Sequence, residues 1–357
     1  GADAFGYLGV KLDSGRGRSG TGLLPVDSDD RAADSYSKAG AALKLRLADS
    51  VLKIGEMSVE TPVFATTDDR LLPETASGFL LTSKDIDDLE VNAGHFTDFR
   101  NKDSSNRHDE FYGYGADTSG GGIGFVGGRY AVSDELSASL YGSELQDTWR
   151  QYYGNLAWGA ELAPEQRLAL DFNLYRTLDH GKALAGEIAN TSYSLAATYS
   201  LGIHALTLAY QRIDGDTPFD YVGGDSIMLA NSMQYSDFNA PHERSWQLRY
   251  ELDLADWLPG LSLMTAYTRG SQIDGSHAAE GGAYNPLDDD SGEFEPLYGD
   301  GGKHWERNIA INYEVADGAA KGLSLSLLQS THRANSAQGE GSQDELQLIV
   351  QYPLHLL

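Results

Sequence analysis

The sequence predicts an all-β protein, either a transmembrane antiparallel barrel or a soluble sandwich. Apolar and polar side chains alternate with a period of two from end to end, as at Leu346, Leu348 and Val350, which is typical of strands with one apolar face. No helical period separates these segments, which excludes a parallel sheet with crossover helices. Short and long connections nearly alternate along the chain, as they do between the two rims of transmembrane barrels.

Sixteen strands are predicted from the alternating segments and the turn residues between them. In chain order they cover 2–13, 37–48, 50–57, 84–97, 108–117, 121–132, 135–144, 149–161, 166–178, 191–201, 204–213, 243–254, 260–269, 304–316, 321–332 and 343–354. The long polar connections between them cover 14–36, 58–83, 179–190, 214–242, 270–303 and 333–342. Two connections fit the alternation poorly, because 99–107 is long for a turn and 118–120 is short for a loop.

The apolar face of these strands has two interpretations. In the strand 166–178, Leu168, Leu170 and Phe172 alternate with polar or small residues. If the apolar face met a protein core, the polar face would meet water, and if it met lipid, the polar face would line a lumen. Tyrosine and tryptophan near many strand ends favour girdles at a membrane interface, although aromatic residues are also common in ordinary sheets. Periodicity alone leaves both interpretations open.

Composition excludes several classes of function. The chain of 357 residues has a formal net charge of −27, from 26 Lys and Arg against 53 Asp and Glu. Such an acidic protein would repel phosphates, so we expect no nucleic acid partner. The absence of cysteine excludes disulfides, a thiol nucleophile and thiolate metal sites. A mean hydropathy of −0.38 is typical of soluble proteins, but transmembrane barrels escape that test because only alternate residues touch lipid.

The motifs give no support to catalysis. Gly122, Gly124 and Gly127 match the spacing of a dinucleotide-binding turn, but 128–132 continues as strand where that motif needs a helix. Neither a Gly-x-Ser-x-Gly elbow nor a His-Glu-x-x-His motif occurs, and the nine histidines are scattered singly. The acidic clusters 27–30 and 288–290 lack a full EF-hand loop, so we interpret them as solvated loop tips. We therefore expect no enzyme activity, no metal and no cofactor.

Cations on the polar face of several strands are the candidate site residues from pattern alone. They are Lys11, Lys44, Arg46, Lys53, Arg167 and Arg249. In an acidic protein, cations concentrated inside a lumen would form a path for anionic solutes. The same residues would be ordinary exposed charges if the polar face of the sheet simply met water. The residues alone leave these two hypotheses equal.

Several long segments resemble the OprD-type (Occ) substrate-specific porins of the Gram-negative outer membrane. The segment LGVKLDSGRGRSGTGLLP at 8–25 is similar to the first strand and loop of that family, and DRLLPET at 69–75 is similar to its pore-constricting third loop. The seventh loop is matched by GDTPFDY at 215–221, GDS at 224–226 and QYSDFN at 234–239. The closing strands are matched by THR at 331–333 and IVQYP at 349–353.

The resemblance implies one transmembrane antiparallel β-barrel domain over residues 1–357, with loops folded inward at about 58–83 and 214–242. The family has 18 strands, so the 16 counted here imply that the native protein is longer and that its N-terminal strands are missing. The pores of the family are monomeric and often found as trimers. The implied location is the Gram-negative outer membrane, with its lipid and lipopolysaccharide as partners.

The resemblance also implies a lumenal ladder of Arg and Lys that leads carboxylates to the constriction, opposite an acidic pocket. The residues that match the ladder by position are Lys11, Lys44, Arg46, Arg70 and Arg249, and those that match the pocket are Asp225 and Ser226. The last two strands depart from the pattern, because Ser326, Leu328 and Gln347 stand where the ladder would place Arg.

The expected function is passive, selective uptake of small carboxylates, such as amino acids or aromatic acids, without turnover. A less selective, cation-tolerant pore is the alternative within transport, because ladder residues are missing and the net charge is strongly negative. A barrel enzyme would need a base and a nucleophile at one rim, and no such pair is found. A soluble acidic β-protein remains the alternative outside the membrane.

Overall fold

Sixteen antiparallel strands form one continuous sheet in chain order, and a two-stranded hairpin (β4–β5) stands apart from it. The structure is a computed structural model that describes residues 1–12, 22–29, 31–111, 113, 121–224 and 226–354. The strands are β1 (Ala2–Val10), β2 (Ser35–Leu47), β3 (Ser50–Met57), β4 (Glu60–Thr61), β5 (Phe64–Ala65), β6 (Thr75–Ile86), β7 (Leu89–Arg100), β8 (Ile123–Ala131), β9 (Leu136–Leu145), β10 (Trp149–Ala163), β11 (Gln166–Asp179), β12 (Ala189–Leu201), β13 (His204–Asp214), β14 (Arg244–Asp253), β15 (Leu261–Asp274), β16 (Asp300–Glu314), β17 (Ser324–Ala334) and β18 (Gln343–Gln351).

The connections divide into two rims. At one end of the strands, here called the turn rim, the connections are 48–49, 87–88, 132–135, 164–165, 202–203, 254–260 and 315–323. At the other end, the loop rim, they are 11–34, 58–74, 101–122, 146–148, 180–188, 215–243, 275–299 and 335–342. The connections at the turn rim have two to nine residues, and those at the loop rim have eight or more, except for 146–148. The predicted segregation of turns and loops is therefore confirmed.

Two of the sixteen predicted strands were placed wrongly. The prediction of 84–97 ran across the turn 87–88, where Asp88 adopts a positive φ of 63°, and it included only the last three residues of β6. Consecutive apolar residues at Leu80 and Leu81 break the period-two pattern inside β6, which hid the strand within a predicted loop. The described residues of 108–117 form only an isolated bridge between Asp109 and Phe99. Of the two connections that fitted the alternation poorly, 99–107 overlaps the end of β7 and the start of the long connection from β7 to β8, and 118–120 lies outside the described residues.

The outer face of the sheet is apolar and exposed over its whole width. Leu208 and Leu248 lie side by side on β13 and β14 and are 58% and 49% exposed, although each is a large hydrophobic residue. Leu348 on β18 is 68% exposed. The alternate residues of the same strands are mostly polar or small, and many are buried under the long loops. A soluble sandwich would bury the apolar face instead, so this arrangement is typical of a sheet whose apolar face meets lipid.

The sheet curls so that its polar face encloses the long loops. In the loop 215–243, the Gly224 N–H donates to Glu74 Oε2 beside β6 at 3.0 Å, and the Tyr235 N–H donates to Glu306 Oε1 on β16 at 3.1 Å. Strands β6 and β16 are ten positions apart in the strand order, which would separate them by about 48 Å in a flat sheet. The same loop also binds Gln151 on β10, Asn190 on β12 and Gln211 on β13, so it contacts the polar face across most of the sheet. The polar face is therefore the inside of a curved wall.

No helix in the described ranges is long and apolar enough to cross a membrane. Within the same ranges, no hydrogen-bonded ladder joins the end strands β1 and β18.

The outward and inward faces predict opposite responses to a new charge at neighbouring positions of β12. Leu195 faces outward and is 48% exposed, whereas Ala196 faces inward opposite Asp171. We expect Leu195→Arg to lower the free energy of unfolding in lipid vesicles by about 2–4 kcal/mol, because it places a cation in hydrocarbon. Ala196→Arg should change it by less than about 1 kcal/mol, because the new cation meets water and a carboxylate. Equal losses in urea titrations of both variants would contradict the assignment of the faces.

Candidate channel and constriction

The loop 58–74 is held against the inner wall by an aromatic cluster. Phe64 is fully buried, with its ring centroid 5.2 Å from that of Phe96 on β7 and 6.4 Å from that of Phe125 on β8. Both strand residues point inward, so the loop lies inside the curved wall. On the far side, the hydroxyl of Tyr175 on β11 donates to the Pro62 carbonyl at 2.8 Å. The loop therefore crosses the interior from β7 to β11 and narrows it.

The loop 215–243 is tied to the wall through its backbone. Inward-facing amides bind its carbonyls: Gln151 donates to Asp220 O, Asn190 to Thr217 O, and Gln211 to both Asp237 O and Phe238 O. Wall oxygens accept from its N–H groups: Ser194 from Ala230, Tyr175 from Met228, and Glu306 from Tyr235 and Ser236. A buried loop without a ladder of its own needs such partners, because unpaired backbone groups are costly.

The two inward loops meet at Glu74 and Ser226. Glu74 is fully buried, and its Oε2 accepts from the Thr67 N–H and from the Gly224 N–H, each at 3.0 Å. Burial raises the pKa of Glu74 above its usual value, while these two hydrogen bonds oppose the shift. Ser226 Oγ accepts from the Ala65 N–H at 2.6 Å and donates to the Val222 carbonyl. Ser226 is also fully buried, so in this structure it joins the loops and does not face a solute pathway, contrary to its predicted place in an acidic pocket.

A basic cluster lies on the inner wall at the turn rim. Lys44 and Arg46 on β2, Lys53 on β3 and Lys84 on β6 line one cavity of about 740 Å³. Lys44 and Lys53 stand directly opposite each other in the β2–β3 ladder, which would be destabilising for an isolated pair of like charges. Asp3 on β1 forms an ion pair with Lys44 at 2.5 Å, and the cluster is open to water. The structure thus brings together three of the predicted cations and adds Lys84, which begins the predicted strand 84–97 but was not among the predicted lumenal cations.

Arg249 lies on the opposite part of the wall, beneath the loop 215–243. It lines a small cavity of about 180 Å³ together with the loop residues Ser232, Met233 and Gln234. Its guanidinium donates to Glu251 Oε1 at 2.6 Å, while its Nε is buried and has no hydrogen-bond partner among the described residues. The guanidinium therefore lies at the edge of this cavity with one nitrogen bound to Glu251.

The remaining predicted residues lie apart from one another. Lys11 lies at the loop rim, where its Nζ donates to the Ala32 carbonyl at 3.4 Å, and Arg167 faces inward near the turn rim on β11. Arg70 lies in the loop 58–74 and pairs with its neighbour Asp69 at 2.7 Å. Asp225 lies outside the described residues. The predicted cations therefore do not form one continuous ladder, but a cluster at the turn rim and separate residues above it.

Sequence reasoning missed several inward-facing charges. Lys38 on β2 is 2% exposed, and its Nζ donates to the Pro73 and Asn101 carbonyls at 2.8 and 2.6 Å. Arg100 is equally buried and binds Glu56 at 3.1 Å. The parity of Lys38 matches that of Lys44 and Arg46, so the period-two pattern could have placed it on the inner face. Its partners come from two distant loops, and no pattern in the sequence indicates them.

Comparisons with known proteins identify this architecture. The family model described as outer membrane porin, OprD family, matches residues 1–356. The chain belongs to the OprD family of outer membrane porins. It is 49% identical over 367 residues to Porin D of Pseudomonas aeruginosa, a match that covers 100% of this chain and 81% of that protein. It is 29% identical over 360 residues to the porin-like protein GalP of Pseudomonas putida, again over 100% of this chain and 81% of the relative.

Solved structures of the family have the same fold. The crystal structure of OprD from Pseudomonas aeruginosa matches with a TM-score of 0.83 and 47% identity, over 99% of this chain and 83% of that one. The structure of Pseudomonas aeruginosa OpdK with vanillate matches with a TM-score of 0.84 and 31% identity, over 99% and 87%. The predicted fold class, an all-β transmembrane barrel, and its location in the Gram-negative outer membrane are confirmed. The interior of the curved wall is the lumen of a porin for small solutes.

The Glu74 contact predicts how the two inward loops respond to its loss. We expect Glu74→Ala to weaken the closed arrangement of the loops by about 2 kcal/mol, because two charge-assisted hydrogen bonds are lost. Chymotrypsin should then cleave the loop 215–243 about 30-fold faster in the folded protein, since cleavage follows the population of the open loop. The matched control is Glu60→Ala, an exposed glutamate in the same loop 58–74. Equal cleavage rates of wild type and Glu74→Ala would show that Glu74 does not join the loops.

Proposed function

We propose that this porin admits small solutes that carry a carboxylate, and that the basic cluster at the turn rim and Arg249 attract that group. The observation that carries the proposal is the basic cluster, in which four cations line one lumenal cavity. The protein as a whole has a net charge of −27, so a local excess of cations in the lumen opposes the overall field. An anionic group that leaves bulk water needs such compensation for its lost hydration.

Arg249 supports the same preference at the narrow part of the lumen. Its guanidinium is the charged donor beneath the loop 215–243, in the small cavity that this loop shares with the wall. A planar guanidinium binds a carboxylate through two parallel hydrogen bonds, which gives orientation as well as attraction. Among the relatives, the structure of OpdK contains vanillate, an aromatic carboxylate. Amino acids and aromatic acids are the solutes that fit this chemistry.

A cation-tolerant, less selective pore is the alternative. The inward faces of β17 and β18 carry Ser326, Leu328, Glu345 and Gln347 and no cation. On β16 the inward-facing Glu306 is committed to the loop 215–243 and does not balance the basic cluster. One side of the lumen is therefore neutral or acidic, which favours cations along that side.

Single-channel recording in planar bilayers tests the proposal. We expect wild type to favour anions near neutral pH and to be blocked by millimolar benzoate or glutamate. The double variant Lys44→Gln/Lys53→Gln should shift the reversal potential in a salt gradient toward cation preference. It should also weaken carboxylate block about 30-fold, because each of the two removed charges supplies on the order of 1 kcal/mol at contact distance in water.

Two controls make this result specific. Lys321→Gln removes an exposed cation from the turn 315–323 at the same rim, outside the cavity of the basic cluster, and should leave both readouts unchanged. A neutral solute of similar size should cross all variants equally. Unchanged reversal potential and block in the double variant would overturn the carboxylate proposal. A wild-type pore that already prefers cations would favour the alternative.

We infer in addition that the outer face binds lipopolysaccharide near the loop rim. Five outward-facing arginines lie on the adjacent strands β13–β17: Arg212, Arg244, Arg269, Arg307 and Arg333. Arg212 and Arg244 stand directly opposite each other, and Arg269 and Arg333 flank Trp305 in the ladder. Arginines beside an interfacial tryptophan, above an apolar band, fit the phosphates and acyl chains of an anionic glycolipid.

Arg244→Gln/Arg269→Gln should reduce the lipopolysaccharide bound per protein at least threefold when detergent-purified protein is titrated with it. The expected control is Arg129→Gln, which removes a lumenal arginine and should leave binding unchanged. Vesicles of phosphatidylglycerol at equal charge distinguish recognition of lipopolysaccharide from attraction to any anionic lipid. Equal lipopolysaccharide binding by wild type and the double variant would contradict this assignment.

A further inference from the structure

Two histidines and a glutamate meet at the loop rim, inside the wall and away from the basic cluster. His304 lies on β16, His332 lies on β17, and Glu340 lies in the loop 335–342. One ligand atom from each of the three residues lies within 4.8 Å of the other two. Both imidazole rings are completely buried. The nine histidines that are scattered in the sequence therefore include one pair that the fold brings together.

The hydrogen bonds of the two rings fix which nitrogens carry protons. His332 Nδ1 lies 2.8 Å from the Gly341 carbonyl, which can only accept, so Nδ1 carries a proton. His304 Nε2 lies 2.6 Å from Glu243 Oε1, and an ionised carboxylate also only accepts, so Nε2 carries a proton. The nitrogens that remain without protons in the neutral rings are His304 Nδ1 and His332 Nε2, and they face each other at 2.8 Å. Two lone pairs at this distance repel each other, so either a proton, or a metal ion once the rings move slightly apart, must lie between them.

Glu340 supplies a third donor atom at the same point. Its Oε2 lies 3.9 Å from His332 Nε2. The same oxygen is buried and, within the described ranges, accepts no hydrogen bond. A buried carboxylate oxygen without a partner is costly, and binding a cation would satisfy it. The unpartnered oxygen of Glu340 is a second feature, independent of the histidine pair, that a bound cation would satisfy.

We propose that His304 Nδ1, His332 Nε2 and Glu340 Oε2 bind one divalent transition metal ion, with Zn²⁺ as the best match. Two imidazole nitrogens and one carboxylate with an open fourth position is a common zinc ligand set. Ideal tetrahedral bonds of about 2.1 Å place the ligand nitrogens about 3.4 Å apart. The two rings would separate by about half an ångström from their present distance, and the side chain of Glu340 would approach by a similar amount.

The groups that would orient the two histidine rings toward a metal ion are already hydrogen-bonded to them. Glu243 binds the distal nitrogen of His304, and the Gly341 carbonyl binds that of His332, which is the usual support of metal-binding histidines. Glu243 reaches His304 only because residue 270 is glycine, since a Cβ there would lie 1.7 Å from Glu243 Oε1. Both oxygens of Glu243 are in use, because Oε2 accepts from the Ala240 N–H at 3.1 Å.

The metal would lock both loops at this side of the lumen. Its ligands come from two wall strands and from the loop 335–342. The rings of the two histidines in turn pack against the loop 215–243, with Phe238 stacked on His304 at 4.1 Å between centroids and Tyr235 beside His332 at 4.9 Å. A bound ion therefore stabilises the closed position of the loop that covers Arg249, and its removal loosens that loop.

Isothermal titration calorimetry with ZnCl₂ tests this site on the full chain in detergent, after chelator treatment and dialysis. We expect one equivalent of zinc to bind with micromolar or tighter affinity. Glu340→Gln should weaken binding at least tenfold, and His332→Ala should abolish it. Glu243→Gln, which changes only the partner of His304 Nε2, should weaken it roughly 10–100-fold. The matched control is His204→Ala, an exposed histidine at the turn rim that binds Tyr250, and it should retain full affinity.

A second readout on the wild-type protein keeps the proposal testable if a variant fails to fold. One equivalent of Cu²⁺ should give an electron paramagnetic resonance spectrum with hyperfine splitting from two ligand nitrogens. Zinc should also slow chymotrypsin cleavage of the loop 215–243 in wild type and leave it unchanged in Glu340→Gln. Equal zinc affinity in wild type, Glu340→Gln and His332→Ala would overturn the proposal. Absence of zinc binding to wild type would overturn it too, and would leave a proton shared between the rings.

Discussion

The constraint on which the rest of the structure depends is the burial of a long loop that has no ladder of its own. The loop 215–243 lies inside the barrel, where its N–H and C=O groups cannot all reach water. The wall supplies the missing partners through amides and oxygens that point inward, above all Gln211 and Glu306. The inward-facing polar side chains of the wall hold this loop inside the lumen and so narrow it. The rigidity of the constriction depends on these hydrogen bonds.

The same constraint explains why several charges in the lumen do not take part in solute binding. Lys38 is committed to two loop carbonyls, Arg100 to Glu56, and Glu74 to two loop N–H groups. Each of these groups is buried and bonded to a wall strand or an inward loop, so it is not open to a passing solute. Among the described residues, the inward-facing cations that remain open to water include the basic cluster at the turn rim, Arg129 and Arg167, and the guanidinium of Arg249 lies at the edge of a small cavity. The charge preference of the pore depends on these exposed cations, which are fewer than all the cations on the inner face.

The strands and their faces could be predicted from the sequence because alternation records which side of a strand meets lipid. The prediction failed at β6, where Leu80 and Leu81 interrupt the period, and at 108–117, where Phe111 belongs to the aromatic cluster with Phe64 and Phe99 and not to a strand.

The inward direction of Lys44, Arg46 and Lys53 followed from the alternation of side chains between the two faces of a strand. The alternation shows which face of the sheet a residue lies on, but not which residue it contacts. The burial of Ser226 and Glu74 between two loops could therefore not be predicted. Those contacts join residues more than 140 positions apart.

The distribution of charge around the lumen has a consequence for how a solute is oriented. Cations lie on β2, β3 and β6, whereas the inward faces of β16–β18 present carboxylates, amides and hydroxyls such as Glu306, Glu345 and Ser330. In a closed barrel these two groups of strands lie on different sides of one passage, so the field runs across the channel as well as along it. A solute with a carboxylate at one end and an amino or hydroxyl group at the other would be turned by this field. The position of the loop 215–243 then decides whether the turned solute passes Arg249. This loop covers Arg249 and packs on the two buried histidines.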